Sequence, residues 1–341
     1  MLSHRAAAPK TLGYWRNSML SRTAENLFWM ARHIERAENT ARVLDVAHRT
    51  SLLPLDIEGT QAYLWYAPLN ITGCADSYEV KYGLAKADTV SHYMALDPDN
   101  PTSIYSCLKL ARENARTVRG AITSEMWEVI NDTWLELNRL PKQMDYEKFR
   151  DFFDWVKNRS HLFRGVTLDT IIKDIGLSFI KLGTFLERAD NTARILDVKY
   201  HILLPSLNDV GGAADYYQWG SLLKSVSAFE AYQKTYRDVI SPQRVSELLI
   251  FRDDMPRSLH ACMDEVEDAL MAINGQSGKE ARRLAGEQHA ALHFGLTQDA
   301  FSEGLHEFLT DFLKNTALLS REIREAYLSR QDTAMIRQLT T

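Results

Sequence analysis

The sequence predicts an all-α fold, in which a tandem, pseudo-symmetric repeat of helices forms one helical-bundle domain. Apolar residues recur at helical spacing along the 341 residues, and no stretch shows the sustained alternation of a half-buried strand. A twelve-residue helical segment occurs twice, which indicates two homologous units. Hydrophobic residues make up 45% of the chain and charged residues 25%, so the chain can bury a core of ordinary size.

The repeated segment reads ERAENTARVLDV at 35–46 and ERADNTARILDV at 187–198, with ten of the twelve positions identical. The repeat units are expected over about residues 19–130 and 167–295, with bridging helices over 131–166 and a C-terminal helix over 299–328. Residues 1–18 are expected to form an N-terminal extension, and residues 329–341 are expected to form a polar tail.

Two long helices carry the two copies of this segment. The first is expected over about 24–53 and ends at Pro54, whereas the second is expected to open at 167–170 and to end before Pro205. The other helices are expected at about 59–69, 78–94, 126–137, 146–162, 216–223, 228–236 and 279–294.

Proline marks one more helix start in each unit. Asn100 is expected to be the N-cap of a helix with Pro101 at its first position, and Pro256 marks the corresponding start in the second unit. The acidic pair at 253–254 supplies the charge that a helix N-terminus favours.

Each copy of the segment carries a stripe of polar residues beside the apolar face of its helix. The stripes consist of Glu35, Glu38, Asn39 and Arg42 in the first copy and of Glu187, Asp190, Asn191 and Arg194 in the second. An acid followed four residues later by a base supports a helix by only roughly 0.2–0.5 kcal/mol. Such pairs give little reason for both copies to retain the whole stripe. Two interpretations stay open: a buried structural network, or a substrate-binding site formed by these eight residues.

Few motifs of cofactor or metal chemistry occur in the chain. It has no glycine-rich phosphate loop, no HExxH motif and no nucleophile elbow, and its ten histidines are scattered along the sequence. The four carboxylates would suit Mg²⁺, but Arg42 and Arg194 already supply partners that would compete with an ion. We therefore expect no metal ligands and no cofactor.

Charge, hydropathy and cysteine usage exclude several classes of protein. The formal net charge of −5 argues against non-specific binding of nucleic acid, and no apolar stretch reaches the roughly 18 residues of a membrane span. Residues 1–18 lack an apolar secretory core. Cys74, Cys107 and Cys262 form no CxxC pair, which favours core cysteines and a cytoplasmic location.

The start of the first long helix resembles a known family. The run SRTAENLFWMAR at 21–32, followed by IERAEN at 34–39, is similar to the opening of the bacterial Alpha-E family. The resemblance extends over 19–328 and includes 186–194 and the helix starts at Pro101 and Pro256. It implies an all-helical fold with prominent glutamates.

The resemblance also implies a functional setting, because Alpha-E proteins are associated with circularly permuted ATP-grasp proteins and often with transglutaminase-like peptidases. The expected function is that of an accessory or substrate-binding protein of an ATP-grasp amide-ligase system. This setting favours a chain that is not catalytic on its own over one that is an enzyme. Its carboxylates would hold an amine or a guanidinium, and Arg42 and Arg194 would hold a carboxylate or orient the acids. The alternatives are a stand-alone metal- or carboxylate-dependent hydrolase or transferase, and a purely structural partner protein.

Overall fold

A computed structural model describes residues 13–51, 60–141, 144–202, 213–273 and 278–328. These residues are helical wherever they are regular, and no strand occurs among them, which confirms the all-α class. The helices are α1 (Gly13–Ser51), α2 (Thr60–Thr72), α3 (Ala75–Tyr82), α4 (Ala87–Ala95), α5 (Ile104–Thr117), α6 (Ser124–Leu137), α7 (Phe149–Thr170), α8 (Ile175–Ile202), α9 (Ala213–Ser225), α10 (Phe229–Tyr236), α11 (Pro242–Ser246), α12 (Leu259–Ile273), α13 (Lys279–Phe294), α14 (Thr297–Glu303) and α15 (Leu305–Ile323). A 3₁₀ turn precedes α7 (Tyr146–Lys148), and π-helical turns follow α11 (Glu247–Phe251) and α15 (Arg324–Leu328).

Several predicted boundaries are confirmed or fall outside the described residues. The prediction of a helix over 279–294 is confirmed by α13. Helix α1 begins at Gly13, so part of the expected N-terminal extension is helical. The rest of that extension, the tail over 329–341 and the helix ends at Pro54 and Pro205 lie outside the described residues.

Local capping chemistry corrects the predicted starts of three helices. Ser103, not Asn100, caps α5 by accepting a hydrogen bond from the Ser106 amide at 3.1 Å, while Asn100 Oδ1 accepts from the Thr102 amide in the preceding turn. Ser258 caps α12 in the same manner. Residues 167–170 end α7 and do not open α8. The start of α8 is fixed by Asp174, which accepts hydrogen bonds from the first amides of that helix.

Two predicted helices are interrupted at glycines with positive φ. The helix expected over 78–94 is divided into α3 and α4 at Gly83, where φ is 74°. The helix expected over 299–328 is divided at Gly304, where φ is 99°. Both backbone conformations favour glycine, since it has no Cβ to clash.

Helices α1 and α8, which carry the two copies of the repeated segment, lie against each other at the centre of the fold. Helices α5 and α7 pack on α1, whereas α12 and α15 pack on α8. Gly183 permits the central contact, because a Cβ there would lie 2.2 Å from the carbonyl oxygen of Phe28 on α1. The close approach of these two backbones brings their polar stripes within side-chain reach.

The apolar face predicted for α1 is buried. Leu27 and Met30 contribute to one hydrophobic cluster with α8, and Ala41 and Leu44 contribute to another with α2 to α7. All of the cysteines are buried and free, as predicted for core cysteines. None of the described helices combines the length and the apolar character that a bilayer crossing requires.

Candidate functional site

The Glu-Arg pair at the start of each repeated segment binds the other copy. Arg36 on α1 donates from Nε and Nη2 to the two carboxylate oxygens of Glu187 on α8, at 2.5 and 2.8 Å. Arg188 on α8 donates from Nε and Nη2 to the two oxygens of Glu35 on α1, at 2.9 and 3.1 Å. The two contacts are reciprocal and bidentate, the geometry that a planar guanidinium favours with a carboxylate.

Glu35 and Glu38 lie at the centre of a larger cluster of charges, which we call the arginine cluster. Arg42, Arg164, Arg188 and Arg257 surround these two carboxylates. Arg257 comes from the turn before α12 and contacts both acids, at 3.1 and 2.7 Å, and Arg164 on α7 also contacts both. Ser160 donates to Glu38 at 2.6 Å. Each carboxylate oxygen of Glu35 and Glu38 thus accepts at least two hydrogen bonds from the protein.

Asn39 and Arg42 complete the arginine cluster on α1. Asn39 Oδ1 accepts a hydrogen bond from Arg257 at 3.0 Å, whereas its buried Nδ2 finds no partner among the described residues. Arg42 binds Glu38 through Nε at 2.8 Å and reaches Ser227 Oγ at 2.6 Å. Its Nη2 lies 3.0 Å from Nε2 of His161. All four residues predicted in the first copy therefore lie together.

The second copy is not equivalent to the first. Glu187 is buried and accepts hydrogen bonds from Arg32 and Arg36 of α1, as a smaller cluster beside the first one. Asp190 and Arg194 form a separate, partly exposed ion pair. Asn191 is partly exposed and takes no part in the hydrogen bonds of either cluster. The eight predicted residues thus form two neighbouring clusters, a separate pair and one lone side chain.

The carboxylates remain ionised because the arginines outweigh the cost of burial. Burial by itself raises the pKa of Glu35, but Arg188 and Arg257 lower it below its ordinary value. Burial has the same effect on Glu38, whose pKa is nevertheless held well below the ordinary value by His161, Arg257 and Arg164. For Glu187, Arg36 and Arg32 overcome burial and lower the pKa to about 2.

The arginine cluster carries more positive than negative charge. Four guanidinium groups face two carboxylates, an excess of two positive charges. Burial lowers the pKa of Arg257, yet the ordinary pKa of a guanidinium is so high that the group stays protonated. An excess of buried positive charge is costly unless an anion compensates it.

The acids of the arginine cluster are closed off, while its rim is open. The side chains of Glu35 and Glu38 are 1% and 0% exposed, whereas those of Arg164 and His161 are 26% and 53% exposed. Ser160, bonded to Glu38, also lines a small, largely apolar cleft between α1, α5, α6 and α7. An incoming group would therefore meet arginine and histidine before it met a carboxylate.

The reciprocal Glu-Arg contacts agree with a match to a known family. The Alpha-E model, described as a predicted alpha-helical domain with a conserved ER motif, matches residues 19–328. This chain belongs to the Alpha-E family. Both copies of the repeated segment in this Alpha-E chain begin with Glu-Arg.

Curated relatives of this Alpha-E chain include uncharacterized proteins of Mycobacterium bovis and of Mycobacterium tuberculosis strain CDC 1551. Each is 22% identical to the chain over 339 residues, and the match covers 91% of the chain. The chain spans only 37% of the length of these relatives. No solved structure matches the chain.

Sequence reasoning missed most of the arginines that bind the buried glutamates of this Alpha-E chain. Arg36 and Arg188 lie within the repeated segment, and their identity in both copies was the signal that could have identified them. Arg164 and Arg257 reach the cluster from α7 and from the turn before α12, more than a hundred residues away along the chain, and no local pattern marks them.

Three histidines that look scattered in the sequence lie together in the Alpha-E fold. One ring nitrogen each of His260, His289 and His293 can be chosen so that all three lie within 4.8 Å of one another. Their separation along the sequence offered no sign of this proximity. They lie on α12 and α13, outside both copies of the repeated segment.

Proposed function

We propose that this chain is an accessory, substrate-binding protein of an ATP-grasp amide-ligase system, and that its arginine cluster binds an anionic group of the substrate. The observation that carries the proposal is the excess of two guanidinium groups over carboxylates beside a rim that is open at Arg164 and His161. An amide ligase handles carboxylates and acyl phosphates, both of which suit bidentate binding by arginine.

The proposed roles of the acids and the bases differ from the sequence-based expectation. The oxygens of Glu35 and Glu38 are occupied by guanidinium groups and by Ser160, so they have little capacity left for an amine. We assign to these acids the task of orienting the arginines. Arg164, which is partly exposed, is the side chain best placed to turn from the acids towards a ligand.

The same contacts weigh against a stand-alone hydrolase or transferase. A general acid or base works best with a pKa near the working pH, whereas the pKa values of Glu35, Glu38 and Glu187 all lie below the ordinary value of a carboxyl group. A magnesium ion at these acids would have to displace charged arginines. We therefore expect the chain alone to turn over no ATP.

The proposed partners are a circularly permuted ATP-grasp protein and, in some systems, a transglutaminase-like peptidase. Membership in the Alpha-E family supports this setting, because members of the family resemble the genomic and fusion partners of such enzymes. The test is to recover the chain from its native host together with any ATP-grasp protein and to measure amine-dependent release of ADP with and without the chain.

Two matched arginine variants locate the effect in that assay. Arg164→Met removes a guanidinium at the rim of the arginine cluster, whereas Arg194→Met removes a partly exposed one whose ion pair, within the described part of the chain, is with Asp190. We expect the first to abolish stimulation of ADP release and the second to retain it, with thermal melts confirming that both variants are folded. Equal stimulation by both variants would contradict an anion-binding role. ATP turnover by the purified chain alone that vanishes in Glu35→Gln, under conditions in which thermal melts show this variant to be folded, would establish an enzyme instead.

A further inference from the structure

His260, His289 and His293 meet where α12 packs against α13. His289 and His293 are four residues apart on α13, which places them on one face of the helix. His260 lies on the facing helix, and the three ring centroids are 5.3 to 5.6 Å apart. Three imidazoles this close place several nitrogen lone pairs in one small volume.

The surroundings of His260 fix which of its nitrogens faces the other rings. His260 Nδ1 lies 2.8 Å from the carbonyl oxygen of Phe251, which can only accept a hydrogen bond, so Nδ1 carries the proton. Nε2 is then left with a free lone pair in the neutral ring. That Nε2 lies 3.3 Å from Nδ1 of His293. A backbone carbonyl that orients a histidine from behind is a common arrangement in metal sites.

Two carboxylates flank the remaining histidine. His289 Nε2 lies 2.7 Å from Asp264 Oδ1, and His289 Nδ1 lies 2.9 Å from Glu267 Oε2. If His289 binds an ion through Nε2, on the side of Asp264, then Glu267 holds its Nδ1 and so fixes the orientation of the ring. Asp264 Oδ1 also lies 3.5 Å from His260 Nε2, because Asp264 is one helical turn beyond His260 on α12.

We propose that this cluster is a binding site for a divalent transition metal of the Zn²⁺ type, with His260, His289 and His293 as ligands and Asp264 as the fourth. Zinc–nitrogen bonds of about 2.0–2.1 Å in a tetrahedron place neighbouring ligand atoms about 3.4 Å apart. The separations of 3.3 Å between His260 and His293 and of 3.5 Å between His260 and Asp264 agree with this value, whereas the 2.7 Å contact between His289 and Asp264 would have to widen when an ion binds. A set rich in imidazole suits zinc, copper or nickel and does not suit Mg²⁺ or Ca²⁺.

The site would join α12 to α13, and it is independent of the function proposed for the arginine cluster. No residue of the cluster around Glu35 contributes a ligand. The bound ion would fix the packing of two helices, one of which begins just after Arg257. Access from solvent is available because His293 is exposed and His289 is partly exposed.

The test is calorimetric titration of the full chain, stripped with a chelator, with Zn²⁺. We expect saturation at one equivalent, and with Co²⁺ we expect the intense visible absorption of a tetrahedral ion. His293→Ala removes an exposed ligand and should weaken Zn²⁺ binding by at least about 10- to 100-fold. The matched control is His306→Ala, which removes another histidine bound to a carboxylate, Asp197 at 2.6 Å, outside the site. It should leave Zn²⁺ binding unchanged.

A second pair of measurements keeps the proposal falsifiable if a variant is unstable. Glu267→Gln keeps all four ligands and should weaken binding less than His293→Ala while the Co²⁺ spectrum stays tetrahedral. Zn²⁺ should also raise the melting temperature of the wild-type chain and of His306→Ala, but not that of His293→Ala. Absence of saturable binding at one equivalent would overturn the site, as would equal binding by His293→Ala and His306→Ala.

Discussion

Replacing Glu35 by glutamine should destabilise the fold strongly, because this side chain holds together three elements of the structure. Glu35 is 1% exposed and accepts hydrogen bonds from Arg188 on α8, from Arg257 before α12 and from Arg164 on α7. The amide keeps the shape but removes the charge, which leaves the nearly buried guanidinium group of Arg188 without its counter-ion and leaves that of Arg257 with Glu38 alone. Breaking a buried pair in this way costs about 3–5 kcal/mol.

The measurement is urea unfolding at neutral pH, with Asp190→Asn as the matched control. Asp190 also accepts two hydrogen bonds from one arginine, Arg194, but the two side chains are 24% and 41% exposed. An exposed pair of this kind contributes only about 0–1 kcal/mol. A loss of less than about 1 kcal/mol in Glu35→Gln, equal to that of the control, would refute the assignment of Glu35 as the counter-ion of the buried arginines.

Three further predictions concern packing, acid and thiol chemistry. Gly183→Ala should destabilise the chain by about 1–3 kcal/mol in urea unfolding, because the new Cβ would strike the backbone of α1. The control Gly165→Ala, in an exposed part of α7, should stabilise the chain by about 0.5–1 kcal/mol, and equal effects of the two variants would contradict the close approach of α1 and α8. The pKa of Glu187 in the folded chain is lowered to about 2, so the carboxylate contributes fully to the free energy of unfolding above its ordinary pKa of 4.5, and this contribution is lost as the pH falls towards 2. The difference in stability between wild type and Glu187→Gln should therefore shrink between pH 4.5 and pH 2 in acid titrations, and a constant difference would contradict the ion pairs of Glu187. Burial raises the pKa of Cys107 and Cys262 to about 12, so iodoacetamide should modify neither thiol at neutral pH until denaturant is added, as mass spectrometry would show; rapid labelling of the native chain would contradict their burial.

Periodicity and spacing predicted the helices but not the points where capping decides a boundary. The apolar stripe through Leu27 and Leu44 and the range of α13 follow from the 3.6-residue period alone. The start of α8 does not, because Asp174 lies in a short turn that looks like a continuation of the helical pattern. The break at Gly304 depends on a positive φ, and the presence of a single glycine in the sequence does not predict that conformation.

The candidate site was predictable only where its residues share a helix. Glu38 and Arg42 are four residues apart, so their contact follows from helix geometry. The contacts of Arg164 and Arg257 depend on how distant helices pack, and a single sequence carries no mark of that packing. The sequence pattern therefore identified the buried acids but could not reveal that arginines outnumber them.

The reciprocal contacts between the two Glu-Arg pairs also restrict how the chain can change over generations. Reversing the charge of Glu35 would place it against Arg188 in the other copy with the same sign, and only a second, compensating substitution there would restore the attraction. The same holds for Arg36 and Glu187. Either single change passes through a poorly folded intermediate, which selection removes. Two Glu-Arg pairs coupled in this way would change more slowly than the residues beside them, which accounts for the presence of Glu-Arg at the start of both copies.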